Sequence, residues 1–167
     1  MVHGSPQDIS ESIHPEQDIS ALDRALEMIP EKILVCGHTH QPWQRRRNEK
    51  LALNPGSVAG PLNGEVGAQY ARLAWLKGRW QVELRTVSYD STALISAFKE
   101  RGLLEEGGPI ARAFLESILT GKDVALSFLE YGYALAKEAT GADLEIIPDD
   151  LLELAEQTFD WQRWMRS

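Results

Sequence analysis

The chain has 167 residues, 43% of them hydrophobic and 25% charged, with a formal net charge of −8; that is enough for one domain with a real core and a small appended module. The acidic balance argues against a nucleic-acid or anionic-membrane partner, since neither finds a broad basic footprint to dock on. No apolar stretch approaches the roughly 18 residues that span a bilayer.

Met1-Val2-His3 lacks the charged and apolar regions of a signal peptide, and the single cysteine, Cys36, has no partner for an intramolecular disulfide, so the expected compartment is the cytoplasm. Residues 4–15 are rich in Ser, Pro, Asp and Gln and read as a loop. Pro15 opens a helix in which Ile19, Leu22, Ala25, Leu26 and Ile29 recur at helical spacing until Pro30. Lys32 to Cys36 is a short apolar run, the pattern of a strand buried on both faces, and Gly37 ends it. Leu51 to Leu53 is a further strand, stopped by the turn signal Asn54-Pro55-Gly56-Ser57.

After a loop over Gly60 to Gly67, Ala68–Leu76 and Trp80–Val87 read as a hairpin closed by Lys77-Gly78. Asp90 caps a helix from Ser91 to Arg101, which Gly102 stops. Beyond Gly107-Gly108 the pattern is helical throughout. One helix covers Pro109–Leu119, closed by Gly121; a second covers Asp123–Ala139, closed by Gly141; a third covers Asp149–Met165 behind Pro148. The expected division is an α/β part over 1–103 and a helical extension over 104–167.

Gly37-His38-Thr39-His40 follows the apolar run, and His3 is followed by Gly4. In an extended segment His38 and His40 would project to the same side, because side chains alternate. At the carboxyl end of a buried strand they would enter the crevice where α/β sheets place ligands. Two imidazoles so placed can share one metal, or serve two ions about 3.5–4 Å apart. A lone His-x-His is also a common accident of loop sequence.

His3-Gly4-Ser5-Pro6, Val35-Cys36-Gly37-His38-Thr39-His40-Gln41-Pro42 and Asn54-Pro55-Gly56-Ser57-Val58, followed by Ala68-Gln69-Tyr70-Ala71 and Val87-Ser88-Tyr89-Asp90, occur in a familiar order and spacing. Over about residues 1–103 the chain resembles the calcineurin-like metallophosphoesterases, in their small bacterial and archaeal phosphodiesterase-like branch. The resemblance implies the C-terminal portion of a four-layer α/β sandwich, here with an all-helical C-terminal extension. In that family two divalent ions (manganese, iron or zinc) hydrolyse phosphomonoesters or phosphodiesters. It implies His3 and His38 as ligands of the second metal and His40 as a ligand of the first.

The resemblance also defines what these residues lack. The family's Asp-x-His, Gly-Asp and Gly-Asn-His segments, with the bridging carboxylate and the histidine thought to protonate the leaving group, have no match in this sequence. Three neutral imidazoles do not balance two divalent cations. The expectation is therefore an N-terminally truncated phosphoesterase, inactive alone, that holds one metal weakly or none; its catalytic residues are absent and its substrate-binding residues unassigned. Two alternatives stand beside it. One is a non-catalytic interaction module, as the retromer scaffold subunit is on this fold. The other is half of a split enzyme completed by an N-terminal partner chain. Unpaired strands near residues 33–36 would favour self-association or such a partner.

Other residues carry plainer readings. Cys36 is expected as a small buried hydrophobe and His14 as a solvated surface histidine. Arg45-Arg46-Arg47 is expected as a solvated strand edge or loop rather than a phosphate site. Asn54 and Ser57 are placed to shape a loop beside the metals, and turn chemistry explains both without substrate contact. Trp43 either lines an entrance or packs beside Pro42. Trp161 and Trp164, three apart on one helical face, suit a packing or dimer surface.

Overall fold

The computed structural model describes residues 1–165, and the chain falls into two compact units, Met1–Tyr89 and Asp90–Ser167. The first is an α/β core and the second is all helical.

In the first unit, α1 (Ile19–Glu27) starts later than the sequence suggests, because Pro15 to Gln17 form a turn and Asp18 is the true N-cap, accepting from the Ser20 amide. Its buried stripe is Ala21, Leu22, Ala25 and Leu26. Lys50 Nζ satisfies the carbonyls that end this helix, donating to Leu26 and Ile29. β1 (Ile33–Val35) pairs parallel with β3 (Lys50–Asn54), and β2 (Trp43–Arg47) pairs antiparallel with β3, giving the order β1-β3-β2. Leu34 is buried while Ile33 and Val35 are half-buried; Leu51 to Asn54 in the central strand are all buried. The core joins Ile13, Leu22, Leu26, Leu34, Cys36, Trp43 and Ala52.

The arginine run lies on the edge strand β2, and each guanidinium is engaged locally. Arg45 pairs with Glu16, Arg46 donates to the Trp80 carbonyl, and Arg47 binds both carboxylate oxygens of Asp23 at 2.7 and 2.6 Å. That fork holds the Asp23 carboxyl below its usual range.

β4 (Ala68–Leu76) and β5 (Arg79–Val87) form a separate two-stranded sheet with Leu76 opposite Arg79. The two-residue loop takes φ 51° at Lys77 and 77° at Gly78, the left-handed pair that matches strand twist. One face carries Ala71, Leu73 and Trp75 opposite Leu84, Val82 and Trp80; the other carries Tyr70, Arg72, Arg85 and Glu83.

In the second unit, α2 (Ser91–Glu100) is capped by Asp90, which accepts from the Thr92 amide. α3 (Leu103–Thr120) begins earlier than Pro109 and kinks at Gly108, whose φ of 50° and ψ of −138° interrupt the helix before the proline. α4 (Val124–Thr140) ends on left-handed Gly141.

The helix expected over 149–165 is broken. α5 (Asp149–Thr158) stops at extended Phe159, and the short α6 (Gln162–Met165) follows. Trp161 and Trp164 therefore do not share a continuous helical face. The break turns Phe159 and Trp161 onto Phe128, with ring centroids 5.4 and 5.2 Å away. Trp161 Nε1 donates to the Glu156 carbonyl, and Arg112 stacks 4.1 Å above the Trp161 ring. Burial of these rings outweighs the lost helical bonds.

Candidate metal centre

The histidines are set by backbone bonding around the exit of β1. The Val2 amide donates to the Val35 carbonyl at 2.9 Å, and the Gly37 amide donates to the His3 carbonyl at 2.7 Å. The first residues therefore run beside the strand end and partly cover an edge that the sequence suggests is bare. That alignment brings His3 to His38, with His38 Nδ1 3.2 Å from His3 Nε2 and the rings edge to face.

The alternation argument for His38 and His40 fails. Residues 36–40 leave the strand, and both histidines adopt left-handed backbone, φ 66° and 55°. A period of two applies only to extended chain. Left-handed backbone costs roughly 1–2 kcal/mol per non-glycine residue. Two such residues in one loop require the surroundings to impose it.

His40 Nδ1 donates to the Gly60 carbonyl at 2.8 Å, a bond that fixes the proton on Nδ1 and leaves the Nε2 lone pair free. Polar groups support this loop from below. Asn54, fully buried, donates from Nδ2 to the Gly37 carbonyl at 2.8 Å and to Thr39 Oγ1 at 3.0 Å. Its Oδ1 accepts from the Gly56 amide at 2.9 Å. Gln69, also buried, accepts from the Ser57 amide through Oε1 and donates to Asn63 through Nε2. Ser57 Oγ accepts from the Gly60 amide, which completes the path to the carbonyl that orients His40. Gly56 has φ +84°, and a Cβ there would stand 2.1 Å from Gln69 Oε1.

Asn54 and Ser57 do shape a turn, as the sequence suggests. The hydrogen bonds by which they hold the histidine loop, and the part of Gln69 and Gly60, were not legible. Asn-Pro-Gly-Ser signals a turn without saying what the turn grips.

Cys36 is a buried thiol whose Sγ contacts the Leu53 carbonyl, and burial pushes its pKa up to about 12. Trp43 belongs to the core, only 8% exposed, and also lines a small cavity with His14, Gln41 and Pro42; among the described residues its buried indole nitrogen has no hydrogen-bond partner. His14 is half-buried in the loop before Pro15 rather than fully solvated.

The His3–His38 separation fits two ligands of one ion, since nitrogens about 2.0–2.1 Å from a metal lie roughly 3 Å apart between octahedral and tetrahedral angles. A complete donor set is another matter. Among the described residues no three His, Cys, Asp or Glu side chains group closely enough to hold an ion.

Residues 1–77 match the calcineurin-like phosphoesterase superfamily domain, so part of such a domain is present. Of the solved structures, a metallophosphoesterase from Sphaerobacter thermophilus aligns at 25% identity and TM-score 0.57, covering 72% of this chain and 54% of that one. A hypothetical protein from Pyrococcus horikoshii aligns at 23% identity and TM-score 0.55, covering 63% and 42%. The chain thus spans about half the length of these relatives. No functionally curated protein matches it.

Proposed function

We propose that Met1–Tyr89 supplies the imidazole side of a two-metal phosphoesterase centre, built on the histidine-bearing portion of a four-layer α/β sandwich. His3 and His38 would share one divalent ion through Nε2 and Nδ1, and His40 would offer Nε2 to the other. Bound ions would polarise a phosphoryl oxygen and lower the pKa of water. The carboxylates that would bridge and neutralise such a pair come from another stretch of polypeptide, and the substrate is a phosphate ester. The observation that carries this reading is the convergence of His3 and His38. They lie 35 residues apart, yet their ring nitrogens meet at 3.2 Å beside the end of β1.

Cobalt(II) titration of the purified chain tests the pairing. Binding should weaken at least tenfold in His3→Ala and in His38→Ala and be unchanged in His14→Ala. Equal binding by all of them, or none by the parent, would overturn the assignment. With manganese, the 167-residue chain alone should show negligible turnover of an aryl phosphodiester. Robust turnover would mean that no outside carboxylates are needed.

A second reading, a non-catalytic interaction module, is favoured by the apolar face of the β4–β5 hairpin. There Leu73, Trp80, Val82 and Leu84 are only half-buried and Trp75 is 58% exposed. Sedimentation decides on it: a monodisperse monomer counts against this reading.

A further inference from the structure

We infer that Asn54 is a positioning residue for the metal centre, the clamp that imposes left-handed backbone on His38 and His40. The inference rests on reading those histidines as metal-facing. One carboxamide satisfies three groups in two loops. Nδ2 donates to the Gly37 carbonyl and to Thr39 Oγ1, the groups that bracket His38 and precede His40. Oδ1 accepts from the Gly56 amide, which starts the turn ending at the carbonyl that binds His40 Nδ1. Both nitrogen donors and the oxygen are used, and the side chain is fully buried.

The chemistry leaves little room for substitution. Reversing the amide would set its oxygen against the Gly37 carbonyl. A carboxylate has no donor for the Gly37 carbonyl, and a glutamine is one methylene too long for the same register. The strain in the histidine loop thus has an identifiable source. Its own residues do not favour left-handed backbone, and Asn54 makes the alternative conformations lose two buried hydrogen bonds.

The test uses the whole chain and two readouts. In metal-free protein, imidazole ¹⁵N spectra should show His40 protonated on Nδ1. In Asn54→Ala, the His40 signal should move toward the average of the two tautomers and the amides of residues 37–40 should shift or broaden. The hairpin amides of β4 and β5 should stay in place. Cobalt(II) affinity should fall at least tenfold, with a change in the visible absorption of the bound ion. An unchanged His40 tautomer and unchanged loop amides in a folded Asn54→Ala would overturn the clamp.

Should that variant lose its sheet signals, Thr39→Val removes one acceptor while leaving Asn54 in place. Smaller shifts of the same His40 and loop signals would then support the clamp, and their absence would overturn it. Failure of the parent to bind cobalt, with the His40 tautomer still dependent on Asn54, would sink the metal reading and leave the clamp standing.

Discussion

Left-handed backbone is used differently in the two units. In Asp90–Ser167 every described residue with such a φ is a glycine: Gly102, Gly108, Gly121 and Gly141, each at a helix end or kink. In Met1–Tyr89 glycines share the task with His38, His40, Asn48 and Lys77. Asn48 and Lys77 sit in two-residue hairpin loops, where this conformation is ordinary. The two histidines have no hairpin to explain them. Where only chain direction matters, the sequence supplies the residue with no Cβ; where the side chain matters, it keeps the side chain and braces the backbone with buried amides. The charge divides as well. Residues 1–89 hold ten acidic and ten basic side chains and residues 90–167 fifteen and seven, so the net charge of −8 belongs to the helical unit.

The contrast predicts where each unit is vulnerable. The largest effect belongs to the helical unit: Phe128→Ala empties the centre of its aromatic cluster and should cost about 3–5 kcal/mol in denaturant unfolding. A loss below ~1 kcal/mol would mean that the rings do not carry its stability. Next is alkaline sensitivity of the α/β unit. Burial raises the Cys36 thiol from 9.0 to about 12, so the unfolded chain ionises first and stability falls as pH rises through that window. Cys36→Ala should flatten the slope of stability against pH between those limits; an identical slope would discount the thiol.

Gly141→Ala should destabilise the helical unit by about 1–2 kcal/mol, because alanine resists the left-handed cap. His38→Gly should do the reverse in the α/β unit. Relief of backbone strain, less the entropy of the new glycine, gives a gain of up to about 1 kcal/mol while cobalt binding is lost. A variant less stable than the parent would show that the His38 ring contributes more to folding than its backbone costs.

What could be read from the sequence was local chemistry. Asp90 as a cap, Lys77-Gly78 as a turn and Gly121 and Gly141 as stops each act within a few residues, and each is found in place. Tertiary forces set what could not. Periodicity from Asp149 onward runs through Phe159, yet burying its ring against Phe128 breaks the helix there. The arginines of β2 read equally as strand edge or loop, and pairing with β3 makes them an edge strand. At the site, residue types named His3, His38 and His40 as candidates, and the structure brings the first two together. The loop's conformation was hidden because its hydrogen bonds come from Asn54, fourteen residues after His40, whose place beside the site was readable but whose partners were not.

The hairpin holds one further consequence. Trp75 and Trp80 face each other across the strands at 5.4 Å and 66°. Two indoles so close and so far from parallel couple their electronic transitions. The far-ultraviolet dichroism of the chain should therefore carry an exciton couplet that vanishes in Trp80→Phe, an optical signal native to the protein that reports closure of this sheet without any label.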